Sequence, residues 1–483
     1  MNLIVTPSEL NGNVVIPASK SHTIRAVVIA SLADGISEII NPLNSSDTLS
    51  AVTVCQGLGA RIELREKKGT EAQLDPHSIP LSLGEGERHK GTEGEEASPV
   101  DDLLTPDPRP LTPAFSWIVH GLSGKVMTPE DILDVGNSGT TLYLTLAMAA
   151  LSDGYSVFTG DEQTRRRPAQ PLIDSLNSLG AHVFSTRGNS CAPIVVKGRM
   201  RGGEITIDGS KTSQYISSLL IACPLADNDT KIRVVNVTEE PYIQMTMDWL
   251  NDQGIEYSHE GMEYFHIKGG QGYRHFIKRM PGDFSSATFF LCAGAIINSD
   301  ITLIGLDMND SQGDKVVVDM LSSMGAEINI ESEGIRIKNK QLHGAKFDLK
   351  DTPDALPAMA VVGCFAQGVT RLVNVPQARF KETDRIKVMC QELSKMGANI
   401  RELPDGLEIA ESELHGAIVH GHSDHRVVMA LAVAGLAAKG KTTIDTAESM
   451  NITFPDFVEL MQKIGGRIKF LPEGQNDQRG GGS

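Results

Sequence analysis

The sequence reads Leu321-Ser-Ser-Met-Gly-Ala-Glu-Ile328 in one place and Leu393-Ser-Lys-Met-Gly-Ala-Asn-Ile400 in another. Both phrases run from apolar residues to a glycine, a small residue and a further apolar residue. Such a phrase is typical of an amphipathic helix that ends at a left-handed glycine and is followed by a strand. With one or two substitutions per copy, it occurs six times, at Gly59, Gly180, Gly254, Gly325, Gly397 and Gly465. The repeats predict six similar helix-to-strand joints.

The spacing of these glycines indicates an insertion. From Gly180 onward they are 68 to 74 residues apart, whereas the interval from position 59 to position 180 is 121 residues. The excess falls on residues 66–114, which are rich in Gly, Pro, Glu and Lys and poor in apolar residues. We expect an inserted flexible loop there, and a disordered tail over residues 474–483. Neither is expected to carry chemistry.

A second kind of helix is predicted once in each repeat. Its residues are apolar on nearly every face, which a helix tolerates only when it is buried on all sides. This pattern predicts an α/β fold of two similar domains, each built from three repeated βα units with buried parallel helices. The midpoint of the repeats places the boundary near Pro281. Six segments have the pattern: 23–32, 140–151, 214–225, 286–297, 355–366 and 426–438.

Composition restricts the class of protein. The 483 residues include 44 Lys and Arg against 61 Asp and Glu, a formal charge of −17, which argues against nucleic acid as a partner. The six cysteines are far apart, so we expect reduced thiols in a cytoplasmic protein, with neither disulfides nor a zinc site. The start lacks a signal-peptide pattern, and the longest apolar run, residues 427–438, is shorter than the roughly 20 residues that cross a bilayer. We expect no membrane association.

Polar residues stand just before each apolar helix. Ser, Thr, Asp and Asn are typical N-caps there. Helix starts also suit anionic ligands if they converge on one cleft, because their free N–H groups and dipole ends are positive. The sequence alone leaves both interpretations open. The six sets of residues are Ser19-Lys20-Ser21, Asn137-Ser138-Gly139-Thr140, Thr212-Ser213-Gln214, Asp283-Phe284-Ser285-Ser286, Asp351-Thr352-Pro353-Asp354 and Ser423-Asp424-His425-Arg426.

Cations near these joints favour an anion site. The run Arg165-Arg166-Arg167 is predicted at the head of an amphipathic helix, where positive charge opposes the dipole, so a compensating anion is expected. A solvated surface patch is the alternative. The turn from Lys381 to Arg385 contains Glu382, an arrangement that a surface ion pair also explains. Together with Asp354 and Lys20, Glu382 offers two carboxylates and an amine for proton transfer.

Two further motifs suggest other functions but lack the required context. Residues 435–442 match the phosphate-loop pattern G-x-x-x-x-G-K-[ST], yet here the pattern follows a predicted helix and opens a strand, the reverse of a working loop. Residues 420–425 match H-x-H-x-D-H, which resembles a zinc-pair signature. No histidine follows His425, so the further ligands of such a site are missing.

Taken together, the motifs resemble the 5-enolpyruvylshikimate-3-phosphate (EPSP) synthase family, in the family's order along nearly the whole chain outside residues 66–114. Any single motif is weak, but the ordered set is specific. The matching segments are Ile16-Pro17-Ala18-Ser19-Lys20-Ser21 with Arg25, Gly136 to Thr140, Arg167-Pro168, Asp208-Gly209-Ser210 through Gln214, Pro241-Tyr242, Gly282-Asp283 through Ala287, Pro353-Asp354-Ala355, Lys381 to Arg385 and Asp424-His425-Arg426.

The resemblance implies an enolpyruvyl transferase fold in which the N-terminal strand crosses back to the C-terminal domain. Domain I would comprise residues 1–18 and 281–473, and domain II residues 19–280. The implied reaction transfers the enolpyruvyl group of phosphoenolpyruvate to the 5-hydroxyl of shikimate 3-phosphate and releases phosphate, in the shikimate route to chorismate and aromatic amino acids. It implies no cofactor and no metal, and we expect a monomer.

Roles follow from the resemblance by matching position. Asp354 with Lys20 would handle the hydroxyl proton, and Glu382 would protonate the methylene carbon and later help to remove a proton. Phosphoenolpyruvate would be held by Lys20, Gly139, Arg167, Gln214, Arg385 and Arg426. Shikimate 3-phosphate would be held by Lys20, Ser21, Arg25, Thr212, Ser213, Gln214, Asp354, Gln377 and Lys381.

Four positions depart from the family pattern: Ala18, Tyr143, Glu239 and Ile452. The last three replace residues that bind anions, and Glu239 stands where a serine is usual beside the acceptor's phosphate. A non-catalytic anion-binding relative is therefore one alternative. The other is the sibling that transfers enolpyruvate to UDP-N-acetylglucosamine, although its loop cysteine is missing from residues 160–168.

Overall fold

A computed structural model describes residues 1–66 and 115–471. Apart from Glu66, the predicted insertion at residues 66–114 lies outside the described residues, as does the predicted tail at residues 474–483.

Twelve α-helices lie in the described segments, and two kinds alternate along the chain. The odd-numbered helices are buried along most of their length; 11 of the 13 residues of α7, for example, are buried. The even-numbered helices bury one side, as in α4, where four of nine residues are buried. This alternation confirms the predicted six buried and six amphipathic helices. The bounds are α1 Lys20–Leu32, α2 Ser46–Gly57, α3 Gly139–Ala149, α4 Gln170–Ser178, α5 Gln214–Ala222, α6 Glu240–Asp252, α7 Phe284–Ile296, α8 Val316–Met324, α9 Leu356–Phe365, α10 Arg385–Lys395, α11 His425–Ala437 and α12 Phe457–Lys463.

The six repeat glycines each lie just beyond an even-numbered helix. Their φ angles fall between 69° and 108°. This is the left-handed region in which a residue with a Cβ atom is strained, so glycine lets the chain reverse directly from helix into strand. The predicted joints are confirmed.

The strands are short, and most have five residues or fewer. Their bounds are β1 Asn2–Thr6, β2 Leu10–Val15, β3 Ile36–Ile40, β4 Arg61–Glu66, β5 Phe115–His120, β6 Leu133–Asp134, β7 Tyr155–Thr159, β8 His182–Ser185, β9 Ile194–Lys197, β10 Gly203–Asp208, β11 Thr230–Val235, β12 Tyr257–Glu260, β13 Tyr264–Ile267, β14 Ile277–Arg279, β15 Ser299–Ile304, β16 Glu327–Glu331, β17 Gly334–Lys338, β18 Lys346–Asp348, β19 Val369–Val373, β20 Asn399–Leu403, β21 Gly406–Ala410, β22 Ile418–Val419, β23 Thr442–Ile444 and β24 Arg467–Leu471.

These strands form six four-stranded sheets within the described segments, and all six follow one plan. The sheet with order β18-β19-β21-β20 pairs β18 with β19 in parallel, and its other two pairs are antiparallel. The N-terminal strands complete sheets of the C-terminal half: β1 lies between β23 and β24, and β2 pairs with β15. The chain therefore crosses back at its start. The remaining orders are β22-β23-β1-β24, β10-β11-β13-β12, β14-β3-β5-β4, β16-β17-β15-β2 and β6-β7-β9-β8.

The buried apolar side chains of the described residues form two clusters. One draws on residues 3–16 and 284–468, and the other on residues 18–280. Each cluster surrounds three of the odd-numbered helices. The clusters support the predicted domain division, whose boundaries stay a prediction. Across residues 1–66 and 115–471, every helix is too short or too polar to cross a membrane.

Candidate active site

All six buried helices begin at one crevice between the two clusters. Each contributes a lining residue from its first turns or from the residues just before it, so the convergence that the sequence left open is present. The contributions are Lys20 from α1, Thr140 from α3, Gln214 from α5, Ser285 from α7, Asp354 before α9 and Arg426 from α11. Of the other predicted site residues, Ser21, Arg25, Ser213 and Lys381 also line this crevice.

Side chains cap four of these helices. Ser19, Ser138, Asp283 and Asp424 accept hydrogen bonds from backbone N–H groups in the first turn of α1, α3, α7 and α11. The N-cap interpretation is therefore correct at those four starts. At α5 the N-cap residue Ser213 makes no capping bond, although the Thr212 hydroxyl accepts from the Gln214 N–H at 3.2 Å, and α9 has no side-chain cap. The side chains of Ser213 and Asp354 contact Glu239 and Arg385.

Arg385 is the centre of the charged network. Its side chain is 1% exposed and donates to Asp354 at 2.8 Å, to Glu382 at 2.5 Å and to Asp424 at 2.8 Å. Arg426 lies 2.9 Å from the second oxygen of Asp354. The Glu382–Arg385 pair is thus largely enclosed within this network, and its interpretation as a surface ion pair is wrong.

The network reaches across the crevice to the second cluster. Nη2 of Arg167 lies 2.8 Å from Oε1 of Glu382. Burial alone would raise the pKa of the Glu382 carboxyl, but Arg385 and Arg167 hold it well below its usual value. Burial likewise opposes ionisation of Asp354, whose pKa is lowered by Arg426, Lys381 and Arg385. Both groups are carboxylates in this structure.

Two buried carboxylates that contact lining residues of the crevice are not predicted from the sequence. Asp47 in α2 lies 3.3 Å from the Lys20 amine, and burial raises the pKa of its carboxyl. Asp314 accepts a hydrogen bond from the Tyr242 hydroxyl at 3.2 Å, and burial together with Asp354 raises its pKa to about 6. Asp47 looks like an ordinary acid at a helix start, and Asp314 is far from the other motifs along the chain, so no sequence signal marks them.

Several buried polar atoms around the crevice have no hydrogen-bond partner among the described residues. They include Nε of Arg167, Oε1 of Gln214 and both ring nitrogens of His425. Burial lowers the pKa of His425 well below its usual value, so its ring is neutral. Since buried polar groups are normally paired, these atoms indicate a site built to receive a polar ligand.

The predicted acceptor residues Thr212, Ser213 and Lys381 meet at one carboxylate. Oε2 of Glu239 accepts from the Ser213 N–H at 3.1 Å, the Ser213 hydroxyl at 3.0 Å and the Thr212 hydroxyl at 3.3 Å. Nζ of Lys381 lies 2.5 Å from Oε1. The structure thus brings these predicted residues together, and the group that they surround is the Glu239 carboxylate of the protein itself.

Other predicted residues serve the protein scaffold in this structure. Arg25 is 2% exposed and donates to Ser217 and Thr246 and to the carbonyls of Ser21 and Tyr242, while burial lowers its pKa to about 10. Gln377 is buried outside the crevice lining, and its amide donates to the Lys350 carbonyl at 2.7 Å.

The arginine run does not lie on a long helix. Residues 164–166 form a single 3-10 turn, and α4 begins only at Gln170. Arg165 donates to the carbonyl of Gly160, and Arg166 pairs with Glu162 at the surface. Of the three arginines, Arg167 alone contacts the charged network. The expectation that one anion compensates all three arginines at a helix start is wrong, because the turn directs the three side chains to different partners.

Comparison with known proteins relates this chain to a single family over most of its length. The EPSP synthase (3-phosphoshikimate 1-carboxyvinyltransferase) family model matches residues 4–84 and 114–461. A 3-phosphoshikimate 1-carboxyvinyltransferase of Acetivibrio thermocellus is 50% identical over 468 residues, which are 97% of this chain and 99% of the relative. One of Ruminiclostridium cellulolyticum is 48% identical over 471 residues, 98% of this chain and 100% of the relative. An EPSP synthase structure from Acinetobacter baumannii covers 97% of this chain and 99% of its own, with TM-score 0.74 and 24% identity. This similarity confirms the predicted fold.

Proposed function

The chain belongs to the EPSP synthase family, and we propose that it transfers the enolpyruvyl group of phosphoenolpyruvate to the 5-hydroxyl of shikimate 3-phosphate with release of phosphate. The observation that carries this proposal is the bridge formed by Arg385 between Asp354 and Glu382. It fixes Asp354 within, and Glu382 beside, a crevice that Lys20 and Arg426 also line. Addition followed by elimination needs two separate acid/base groups beside bound anions.

We propose that Asp354, with Lys20, accepts the proton of the acceptor hydroxyl. The lowered pKa of Asp354 keeps it ionised, and an anionic substrate that takes over its cations would raise that pKa and make the carboxylate a stronger base. Glu382 has the opposite task, since it must donate a proton to the methylene carbon. An anionic substrate that takes over Arg167 and Arg385 would weaken their hold on Glu382, and its pKa would then rise. Substrate binding would thus help Glu382 to acquire its proton, and Glu382 would later help to remove a proton from the intermediate.

The proposed contacts of the two substrates overlap at Lys20 and Gln214. For phosphoenolpyruvate we propose contacts with Lys20, Gly139, Arg167, Gln214, Arg385 and Arg426. Its charges would pair with the arginines, and the unpaired Gln214 oxygen and Arg167 Nε are free for new hydrogen bonds. For shikimate 3-phosphate we propose contacts with Lys20, Ser21, Arg25, Thr212, Ser213, Gln214, Asp354, Gln377 and Lys381.

Phosphate release tests the function. We expect release that requires both substrates and falls by about 100-fold or more in Glu382→Ala. Glu402→Ala is the matched control, because Glu402 is a half-exposed carboxylate paired only with Arg379 among its described contacts. The control should keep wild-type release. Release without shikimate 3-phosphate, or undiminished release in Glu382→Ala, would contradict the proposal.

The alternatives have their own outcomes in this assay. Release that depends on UDP-N-acetylglucosamine would favour the sibling transferase. Binding of phosphoenolpyruvate without any release would favour a non-catalytic relative. We further propose that the protein acts as a monomer. Light scattering should then give about 52.0 kDa. The six free cysteines support a reducing, cytoplasmic location.

A further inference from the structure

Glu239 directs its carboxylate into the crevice and away from its own helix. It stands at the start of α6 with φ of 56°, a left-handed conformation that is uncommon without glycine. The residue is 2% exposed, and its side chain makes no capping hydrogen bond to α6. Its backbone conformation and its burial are therefore not accounted for by helix capping.

The partners of this carboxylate form a complete anion site. They are the Lys381 amine, the hydroxyls of Thr212 and Ser213, and the Ser213 N–H just before α5. A cation, hydroxyl donors and a backbone N–H at a helix start are the groups with which proteins bind phosphate. Glu239 occupies them all at once, and its charge compensates Lys381.

A phosphate group and the Glu239 carboxylate cannot share these donors. Two anions at hydrogen-bond distance from one amine repel each other strongly where water is excluded. The subsite is therefore available to a phosphate only when the carboxylate has moved out of it. In that case the apparent affinity for the phosphate is reduced by the fraction of molecules in which the subsite is open.

We propose that Glu239 is an internal competitor for the phosphate of shikimate 3-phosphate, occupying that subsite until the acceptor displaces it. The inference rests on the proposed function for the identity of the acceptor. It makes Glu239 a specificity-determining residue that sets the affinity for the phosphorylated acceptor alone. Phosphoenolpyruvate, held by other cations, is unaffected.

Calorimetric titration in the absence of phosphoenolpyruvate tests the competition. Glu239→Ser removes the carboxylate, and we expect shikimate 3-phosphate to bind about tenfold more tightly than to wild type. Unphosphorylated shikimate should bind both proteins equally within about twofold, because it cannot use the subsite. Glu240→Ser is the matched control: it removes the same charge from the next residue, whose carboxylate pairs with Lys350 outside the crevice. Its affinities should equal those of wild type.

Weaker or unchanged binding of shikimate 3-phosphate by Glu239→Ser would overturn the inference, and weaker binding would make Glu239 a positioning residue for Ser213 and Lys381. Tighter binding of shikimate to the same extent would also overturn it. If Glu239→Ser does not fold, Glu239→Gln keeps the shape without the charge and should show the same selective gain. Because binding is measured without turnover, absence of phosphate release by wild type would refute the proposed reaction separately.

Discussion

Arg385 offers the most direct test of the idea that the charged network is assembled before any substrate binds. It contacts Asp354, Glu382 and Asp424 simultaneously and is 1% exposed. Arg385→Met fills much of the same volume but leaves three carboxylates with one cation fewer. Asp354 keeps Arg426 and Glu382 keeps Arg167, so the network is depleted and not abolished.

The expected loss of stability in Arg385→Met follows from the burial of the ion pairs that it breaks. Removing one partner of a buried ion pair typically lowers the free energy of unfolding by about 3–5 kcal/mol, because the remaining charge stays desolvated. Arg379→Met is the control variant, because it removes an arginine from similar ion pairs that are more exposed. The Arg379 guanidinium also lies 2.8 Å from two carboxylates, Asp384 and Glu402, but its side chain is 21% exposed. Water compensates the loss there, so this control should cost about 1 kcal/mol or less.

The loss of stability in Arg385→Met should also depend on pH. In wild type the pKa values of Asp354 and Glu382 are lowered, so their contribution to stability is complete above about pH 4 and is lost only as the pH falls further. Without Arg385, the cation that lowers it most, the pKa of Glu382 should rise above that of the unfolded chain because burial then dominates, whereas Asp354 keeps Arg426 and Lys381. The variant should then gain stability as the pH falls from 7 to 5, and its difference from wild type should shrink.

Urea unfolding followed by circular dichroism at pH 7 and pH 5 measures both effects. A cost for Arg385→Met no greater than that for Arg379→Met would refute the argument from burial. A cost that is large but identical at the two pH values would refute the assignment of the loss to uncompensated carboxylates.

Two further predictions concern residues that contact Arg167 or the adjacent Pro168. A Cβ atom at Gly139 would lie 2.4 Å from Nη1 of Arg167, so Gly139→Ala should displace the guanidinium and raise KM for phosphoenolpyruvate about tenfold, with KM for the acceptor changed less than twofold in steady-state assays. Equal changes in both KM values would contradict this reasoning. The Tyr143 hydroxyl, whose pKa burial raises to about 12, donates to the Pro168 carbonyl at 3.0 Å. Tyr143→Phe should lower the free energy of unfolding by about 1 kcal/mol in urea; no loss would show that the bond contributes nothing.

The repeat architecture could be predicted because its signals are local. A glycine that must adopt positive φ, as at Gly325 with 108°, and a run of residues apolar on every face are both visible within about a dozen residues. The predicted segment 286–297 differs from α7 by one or two residues at each end. The phosphate-loop pattern could be rejected on the same local grounds, since it begins in the last turn of α11 and ends at the first residue of β23.

Strand pairing could not be predicted from such signals. β1 lies between β23 and β24, more than 400 residues away in sequence, and β14 joins β3 in parallel. Short strands of alternating residues carry no mark of their partner, because the pairing depends on which buried helices pack beneath them. The crossing of the N-terminal strand was therefore available from family resemblance alone.

For the site, residue types were predictable and their partners were not. The motifs identify Lys20 and Glu382 as candidates, but nothing local indicates that Asp47 would pair with one and Arg167 with the other. Ion pairs between distant segments depend on tertiary packing. Glu239 illustrates the same limit: the sequence marks it as a departure from the family pattern, and only the structure places its carboxylate among the donors of an anion subsite.

The charges of the crevice explain how an acidic protein can receive two anions with discrimination. Five cations in or beside the described part of the crevice lie within 3.3 Å of a carboxylate, whereas Arg25 donates to hydroxyl and carbonyl oxygens. At those five cations an incoming anion exchanges partners with a carboxylate. An exchange favours a ligand only if it satisfies the cations better than the resident carboxylate does, which requires the correct shape as well as charge. It also releases Asp354 and Glu382 from their cations at the moment of binding, and the lowered pKa values of these two carboxyls then rise. Under the proposed function, binding and proton transfer would be coupled through Arg167 with Glu382, Arg385 with Glu382 and Asp354, and Arg426 with Asp354. The pairs of Lys20 with Asp47 and Lys381 with Glu239 would exchange partners on binding in the same way.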